Sequence, residues 1–284
     1  MLKLSLIIPV YNEERHIAKC LDAVAAQTQM PYEVIVVDNN CSDRTIEIAK
    51  EYSFVTVVSE SRQGTGFARS KGFNAARGTV LGRIDADSRL THNWAEVVLQ
   101  SFEHDPELSG LTGLARSAFL PGINRLKSTF FSRFYYWFAH ASFDAITMWG
   151  SNMAVRRDAW ERVKNSVLDD DPQIHEDQDI SIWIAAAGGK ILQQNAMLVT
   201  VNGQGFRYLP KLLKYSLMFR HTMQIHTKNG NLRSSRLRRV GRLSSLPGRI
   251  GSILVWTVGT PLVVLLFPVD FVIKKIWPKS WWLD

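Results

Sequence analysis

Asp85 and Asp87 follow the strand-like run 80–84, so both carboxylates emerge at a strand end. Side chains two residues apart point to one side of such a strand. Two hard oxygen donors placed this way suit Mg²⁺ or Mn²⁺ carrying a diphosphate, rather than an all-protein metal cage. The bound ion would neutralise the charge that develops on a nucleoside-diphosphate leaving group. Taken alone, the pair fits a helix cap equally well, and its meaning depends on its company.

Three further groups supply that company. Pro9-Val10-Tyr11-Asn12-Glu13-Glu14 closes the first apolar run, Val36-Val37-Asp38 closes the second, and Gly64-Thr65-Gly66-Phe67-Ala68-Arg69 opens a helix. A carboxylate at Asp38 suits a nucleotide base or ribose. The glycine stretch lets backbone approach a phosphate, and the helix start behind it favours an anion. This stretch is neither a dinucleotide fingerprint, since it lacks the third glycine and does not follow the first strand, nor a Walker loop, since Lys71 does not fit that spacing. Glu176-Asp177 begins a helical pattern over 176–187, where a carboxylate either caps the helix or serves as a rigidly placed base.

The elements that must position these residues alternate. Strand patterns at 4–10, 33–38, 55–59 and 80–85 are separated by helical ones, including 66–77, and further helices are expected over 91–104, 176–187 and 209–224. Strand-like segments at 108–115 and 153–156 follow, with an edge element from Val199. The pattern predicts an α/β fold with a mainly parallel sheet and helices on both faces, whose ligands collect at the carboxyl ends of the strands. Asn12, Asp38, Gly64 and the Asp85–Asp87 pair all fall there.

The ordered set Pro-Val-Tyr-Asn-Glu-Glu, Val-Val-Asp, Gly64 through Arg69-Ser70-Lys71-Gly72-Phe73-Asn74, Asp85-Ala86-Asp87 and Glu176-Asp177 resembles the inverting glycosyltransferases of family 2, with the GT-A nucleotide-diphospho-sugar transferase fold, over roughly residues 4–205. The resemblance implies a nucleotide-sugar donor, usually a UDP-sugar, and a divalent metal, Mn²⁺ or Mg²⁺. It implies that Asn12, Glu14 and Asp38 hold the base and ribose, with Pro9, Tyr11, Gly64 and Ala86 in the same donor site. Arg62 or Arg69 and Lys71 would lie near the nucleotide or its phosphates, Asp85 would touch ribose or metal, and Asp87 would bind metal directly. Asp177 would be the general base. Trp149, Gly150, Ser151, Asn152 and Glu176 would line the acceptor side, with Trp149 able to stack on a sugar. The Gln-x-x-Arg-Trp pattern of the family's processive synthases is missing, which speaks against processive synthesis.

Composition narrows the setting. Hydrophobic residues at 46% and charged residues at 21% exclude wholesale disorder, and a formal charge of +8 calls for an anionic partner. Arg233, Arg236, Arg238, Arg239, Arg242 and Arg249 cluster directly before the uncharged run 250–269. That order favours an anionic membrane surface over nucleic acid, for which no binding signature is present. Trp256, Trp277, Trp281 and Trp282 suit an interface, while Pro261 and Pro268 would kink a simple span. The aromatic-rich stretch 123–143 suits either a packed helix or a lipid- or acceptor-facing surface. Cys20 and Cys41 have no metal-ligand spacing, which fits reduced thiols, and the N-terminus lacks the pattern of a signal peptide.

The organisation expected is a catalytic domain over 1–227, a basic linker over 228–249 and a hydrophobic, membrane-associated helical segment over 250–284, at the cytoplasmic face of the cell membrane. The acceptor would be a membrane-proximal or lipid-linked molecule or a glycan. A polyprenyl-phosphate acceptor, which needs no base, is the nearest alternative, and an inactive nucleotide-sugar-binding scaffold is the non-enzymatic one.

Overall fold

The computed structural model describes residues 1–117, 146–201 and 209–231. Among the described residues eight strands form one sheet: β1 (Leu4–Val10), β2 (Glu33–Asp38), β3 (Val55–Ser59), β4 (Val80–Arg83), β5 (Ser88–Leu90), β6 (Leu108–Ser117), β7 (Met153–Arg156) and β8 (Lys190–Val201), in the order β3-β2-β1-β4-β7-β6-β8-β5. The helices described are α1 (Ile17–Ala25), α2 (Thr45–Lys50), α3 (Thr65–Ala75), α4 (Trp94–His104), α5 (Arg157–Val163), α6 (Glu176–Ala186) and α7 (Leu209–Lys228).

The two-residue period of the strands divides the core cleanly. Leu4, Leu6, Ile8 and Val10 of β1, with Val34 and Val36 of β2, pack with Ile17, Leu21 and Val24 of α1 and Trp94, Val98 and Phe102 of α4. The intervening Ile7, Ile35 and Val37 join Phe73 of α3, Trp160 of α5 and Ile180 of α6 in a second cluster. A strand buried on both faces reads as a continuous apolar run, which is why β1 and β2 stand out in the sequence.

Strands β3, β2, β1 and β4 are mutually parallel, and β6 runs parallel to β8. The expected mainly parallel sheet is present, but β7 runs antiparallel to both β4 and β6, and β5 antiparallel to β8. Three features escaped the sequence reading. β8 occupies all of Lys190–Val201, its polar first half obscuring the strand pattern, while β5 and α5 are too short to show a period. β4 ends at Arg83, so Asp85 already lies in the loop beyond it.

Helix α7 is tied down by ionisable groups. His226 Nε2 pairs with Asp179 Oδ1 at 2.8 Å, and both side chains are buried. The second oxygen of Asp179 accepts the Leu168 N–H at 2.8 Å, Thr222 Oγ1 accepts the His175 N–H at 3.0 Å, and His221 Nε2 lies 2.8 Å from Asp171. Among the described residues no helix is long and apolar enough to cross a membrane. The expected segments at 123–143, 228–249 and 250–284 lie wholly or largely outside the described residues.

Gly72 makes the α3–sheet contact possible. A β-carbon there would meet the Ile7 side chain and lie 2.9 Å from Val37 Cγ2, both on neighbouring strands of the sheet. Gly72→Ala should therefore destabilise the protein by about 1–3 kcal/mol, the usual cost of overpacking, seen as a lower denaturant midpoint at unchanged slope.

Candidate active site

The parallel pairing of β1, β2 and β3 brings Val10 opposite Asp38 and Asp38 opposite Ser59, so three of the predicted loops leave the sheet at one edge. β4 pairs parallel to β1, with Arg83 opposite Ile7, and delivers Asp85 and Asp87 to the same edge.

The first two loops are laced together by side-chain-to-backbone bonds. Asn12, at φ 56°, accepts the Ser42 N–H at 2.8 Å. The Glu13 N–H donates to Thr45 Oγ1 at 2.7 Å, the Glu14 N–H to Asp43 at 3.1 Å, and the Glu14 carboxylate accepts the Arg44 N–H at 3.2 Å. Asp38 Oδ1 accepts the Cys41 N–H at 2.9 Å. Tyr11, directly after β1, is 53% exposed.

Asn39, which none of the sequence motifs singles out, organises the glycine loop. Its buried amide donates to the carbonyls of Glu60 and Arg62 at 2.9 and 2.7 Å, and its oxygen accepts the Gly64 N–H at 2.8 Å. Arg62 lies in the open, paired with Glu60 at 2.9 Å and stacked 4.4 Å from the centre of the Phe67 ring, and Lys71 is exposed on α3.

Arg69 is placed differently from the phosphate contact the resemblance implies. It is fully buried, with one nitrogen 2.5 Å from Asp169 and the other 2.5 Å from Glu176. Glu176 is also paired with Arg83, itself 2% exposed, and Arg83 reaches Asp85 at 3.0 Å. A chain of alternating charge, Asp169–Arg69–Glu176–Arg83–Asp85, thus runs beneath the site. Burial pushes the Glu176 carboxyl upward, but the Arg83 and Arg69 guanidiniums prevail and hold it below its ordinary range. Glu176 is therefore the shared counter-ion of both guanidiniums, partly exposed itself, whereas Arg69 has no exposed surface. Asn152, expected on the acceptor side, is fully buried as well. It accepts from Trp94 Nε1 at 2.7 Å and donates to the carbonyls of Leu114 and Met197 at 3.0 Å, holding the sheet from within.

The turn before β7 carries the remaining candidates. Gly150 donates its N–H to Asp177 at 2.9 Å, and the Ser151 hydroxyl donates to Asp85 at 2.6 Å. Trp149, half-buried, forms a bridge with Asn152. Burial and the neighbouring Glu176 charge raise the Asp177 carboxyl above its ordinary range, against the opposing pull of His175 and the Gly150 N–H.

Asp87 is partly buried beside Ala86, which is fully interior, and burial together with the Asp85 and Glu13 charges pushes its pKa up to about 6. Crowded carboxylates of this kind fit a divalent cation, which would relieve their repulsion. Asp85 and Asp87 supply only two donors. Among the described residues no group of three metal-binding side chains is present, so a diphosphate and water must complete any coordination.

A mixed sheet with this carboxylate edge has the architecture of the GT-A fold. The Glycosyl transferase family 2 profile matches residues 5–163, and the chain belongs to that family of glycosyltransferases. Glycosyltransferase AglE of Haloferax volcanii is 40% identical over 99 residues, 32% of this chain and 33% of the relative, so the match spans only a third of that protein. The glucosyl-dolichyl phosphate glucuronosyltransferase of the same organism is 23% identical over 246 residues, 80% of this chain and 76% of the relative. Mannosyltransferase PcManGT of Pyrobaculum calidifontis, solved with GDP-Man and Mn²⁺, superposes with a TM-score of 0.59 at 18% identity, covering 98% of this chain and 88% of that one.

Because Asp87 takes up its proton near pH 6 when folded and near 3.8 when unfolded, its charge destabilises the metal-free protein above about pH 6, and the penalty fades toward pH 4. Asp87→Asn should raise stability in chelator at pH 7.5 by about 1–2 kcal/mol, allowing for partial solvation. The gain, read as a melting shift of a few degrees, should vanish at pH 4.

Proposed function

We propose that the protein is an inverting, metal-dependent glycosyltransferase that moves a sugar from a nucleotide-sugar, a UDP-sugar in the first instance, to a membrane-proximal or lipid-linked acceptor. One observation carries this reading: consecutive residues of a single turn, Gly150 and Ser151, hold Asp177 and Asp85. A carboxylate suited to deprotonating an acceptor and a carboxylate suited to the donor share one support.

Inverting transfer needs the acceptor hydroxyl to lose its proton as it attacks the anomeric carbon opposite the leaving diphosphate. Asp177 takes that proton, and its raised pKa makes it a stronger base than a solvated aspartate. Pro9, Tyr11, Asn12, Glu14 and Asp38 form the base and ribose side of the donor site, with Gly64, Arg62 and Lys71 toward the phosphates. Mn²⁺ or Mg²⁺ held by Asp85 and Asp87 would supply the positive charge that the leaving diphosphate requires. The presence of GDP-Man and Mn²⁺ in the mannosyltransferase structure supports a nucleotide-sugar and a divalent ion here. The lipid-linked acceptor draws support from the glucosyl-dolichyl phosphate glucuronosyltransferase and from the arginine cluster before the apolar run 250–269. These features together favour work at the cytoplasmic face of the cell membrane.

Thermal unfolding of the full chain in detergent tests the donor site. UDP with Mn²⁺ at about a hundred times its dissociation constant should add roughly 2.7 kcal/mol, a shift of a few degrees. Chelator or Asp87→Ala should remove it. A shift with GDP alone would change the donor, and a folded protein that no nucleotide stabilises would end the reading. Asp177→Asn should keep the nucleotide shift while transfer falls by about 10²–10⁴-fold, with the wild-type product showing inverted anomeric configuration by NMR.

A further inference from the structure

Arg83 is not among the residues that sequence or family resemblance marks for a role, yet it touches both halves of the site. It is 2% exposed on β4, two residues before Asp85. One guanidinium nitrogen bonds Asp85 at 3.0 Å and another bonds Glu176, the residue preceding Asp177. The planar fork of a guanidinium spans two carboxylates in fixed geometry, which a lysine ammonium on its flexible stem does not.

Arg83 also underlies the turn that serves both carboxylates. A β-carbon on Gly150 would meet Arg83 Nη1 and come within 2.9 Å of Arg83 Cζ, so the Gly150 backbone rests directly on the guanidinium. From that position Gly150 donates its N–H to Asp177, and Ser151 donates its hydroxyl to Asp85. Each of these two aspartates is thus reached from Arg83 by a second route, through the turn.

We propose that Arg83 is a positioning residue for transfer: it fixes the base Asp177 relative to the donor carboxylate Asp85 through Glu176 and the Gly150–Ser151 turn. The inference rests on the roles given to Asp85 and Asp177 above. At 2% exposure Arg83 presents almost no surface to a ligand, so its effect passes through those groups. In Arg83→Lys, Asp85 keeps its Ser151 bond and Glu176 its Arg69 partner, whereas the rigid fork that joins Asp85, Glu176 and the turn is lost. A misplacement of about 1 Å at a reacting group is enough to cost 10²-fold in rate.

The test uses the full chain in detergent with UDP-GlcNAc or GDP-Man, whichever stabilises the wild type with Mn²⁺. Slow transfer of the sugar to water, followed as nucleoside diphosphate released, serves as the reaction. Arg83→Lys should lower this rate by about 10–100-fold while the nucleotide dissociation constant changes by less than about fivefold. The double variant Arg83→Lys/Asp177→Asn should be no slower than Asp177→Asn alone, because both act through one group. Gly150→Ala, which displaces the guanidinium without altering its charge, should reproduce the signature, and melting curves separate it from loss of fold. Multiplicative losses in the double variant, or weakened nucleotide binding at an unchanged rate, would overturn the proposal. A wild type that binds neither sugar-nucleotide would instead overturn the functional reading on which it rests.

Discussion

Burying two guanidiniums under a site is costly unless their charge is met in place, and here it is met by carboxylates from three different parts of the chain. Arg69 comes from α3 and Arg83 from β4, while Glu176 comes from the start of α6, Asp169 from the loop ahead of it and Asp85 from the loop after β4. None of these elements can shift alone without exposing an interior charge to an apolar neighbour. Replacing such a network by apolar residues often leaves stability unchanged, whereas removing one member typically costs 3–5 kcal/mol. The network therefore specifies one arrangement of the helices and strands around the catalytic edge, rather than adding stability as such.

That arrangement leaves a surplus of negative charge where a donor would bind. Asp85 is partly compensated by Arg83, while Asp87 has Asp85 and Glu13 as its strongest charged neighbours and is held near pH 6. A nucleotide diphosphate is itself anionic, and a cation between it and these carboxylates would offset the repulsion, as the proposed function requires. Asp177 and Asp85, proposed to serve acceptor and donor, are both bonded by the Gly150–Ser151 turn.

Much of this was legible in the residues. The doubly buried strands β1 and β2 announce themselves as apolar runs, and the acidic and glycine-rich loops follow them at the expected edge. The ordered motifs led to the family without help from the fold. What stayed hidden has a common physical origin. Helices α3 and α6 bury Arg69, Ser70, Gln178, Asp179 and Ser181, so no apolar stripe marks the faces they turn inward. A sequence shows an arginine between glycines as a plausible ligand contact, and only the spatial meeting of residues a hundred positions apart makes it an ion pair. Asn39 and Asn152 were likewise invisible as structural hubs, because an amide earns that role from carbonyls supplied by distant loops and strands.

The pairing of His226 with Asp179 sets where the catalytic unit can be said to end. Asp179 lies on the helix that presents Asp177, and it is satisfied by one bond from Leu168 and one from a histidine far along the chain. A fragment cut before that histidine would contain every catalytic candidate and still carry a buried carboxylate stripped of one partner. Charge compensation thus ties the helix that carries Asp177 to α7, and a cut between them would leave Asp179 buried with one partner fewer.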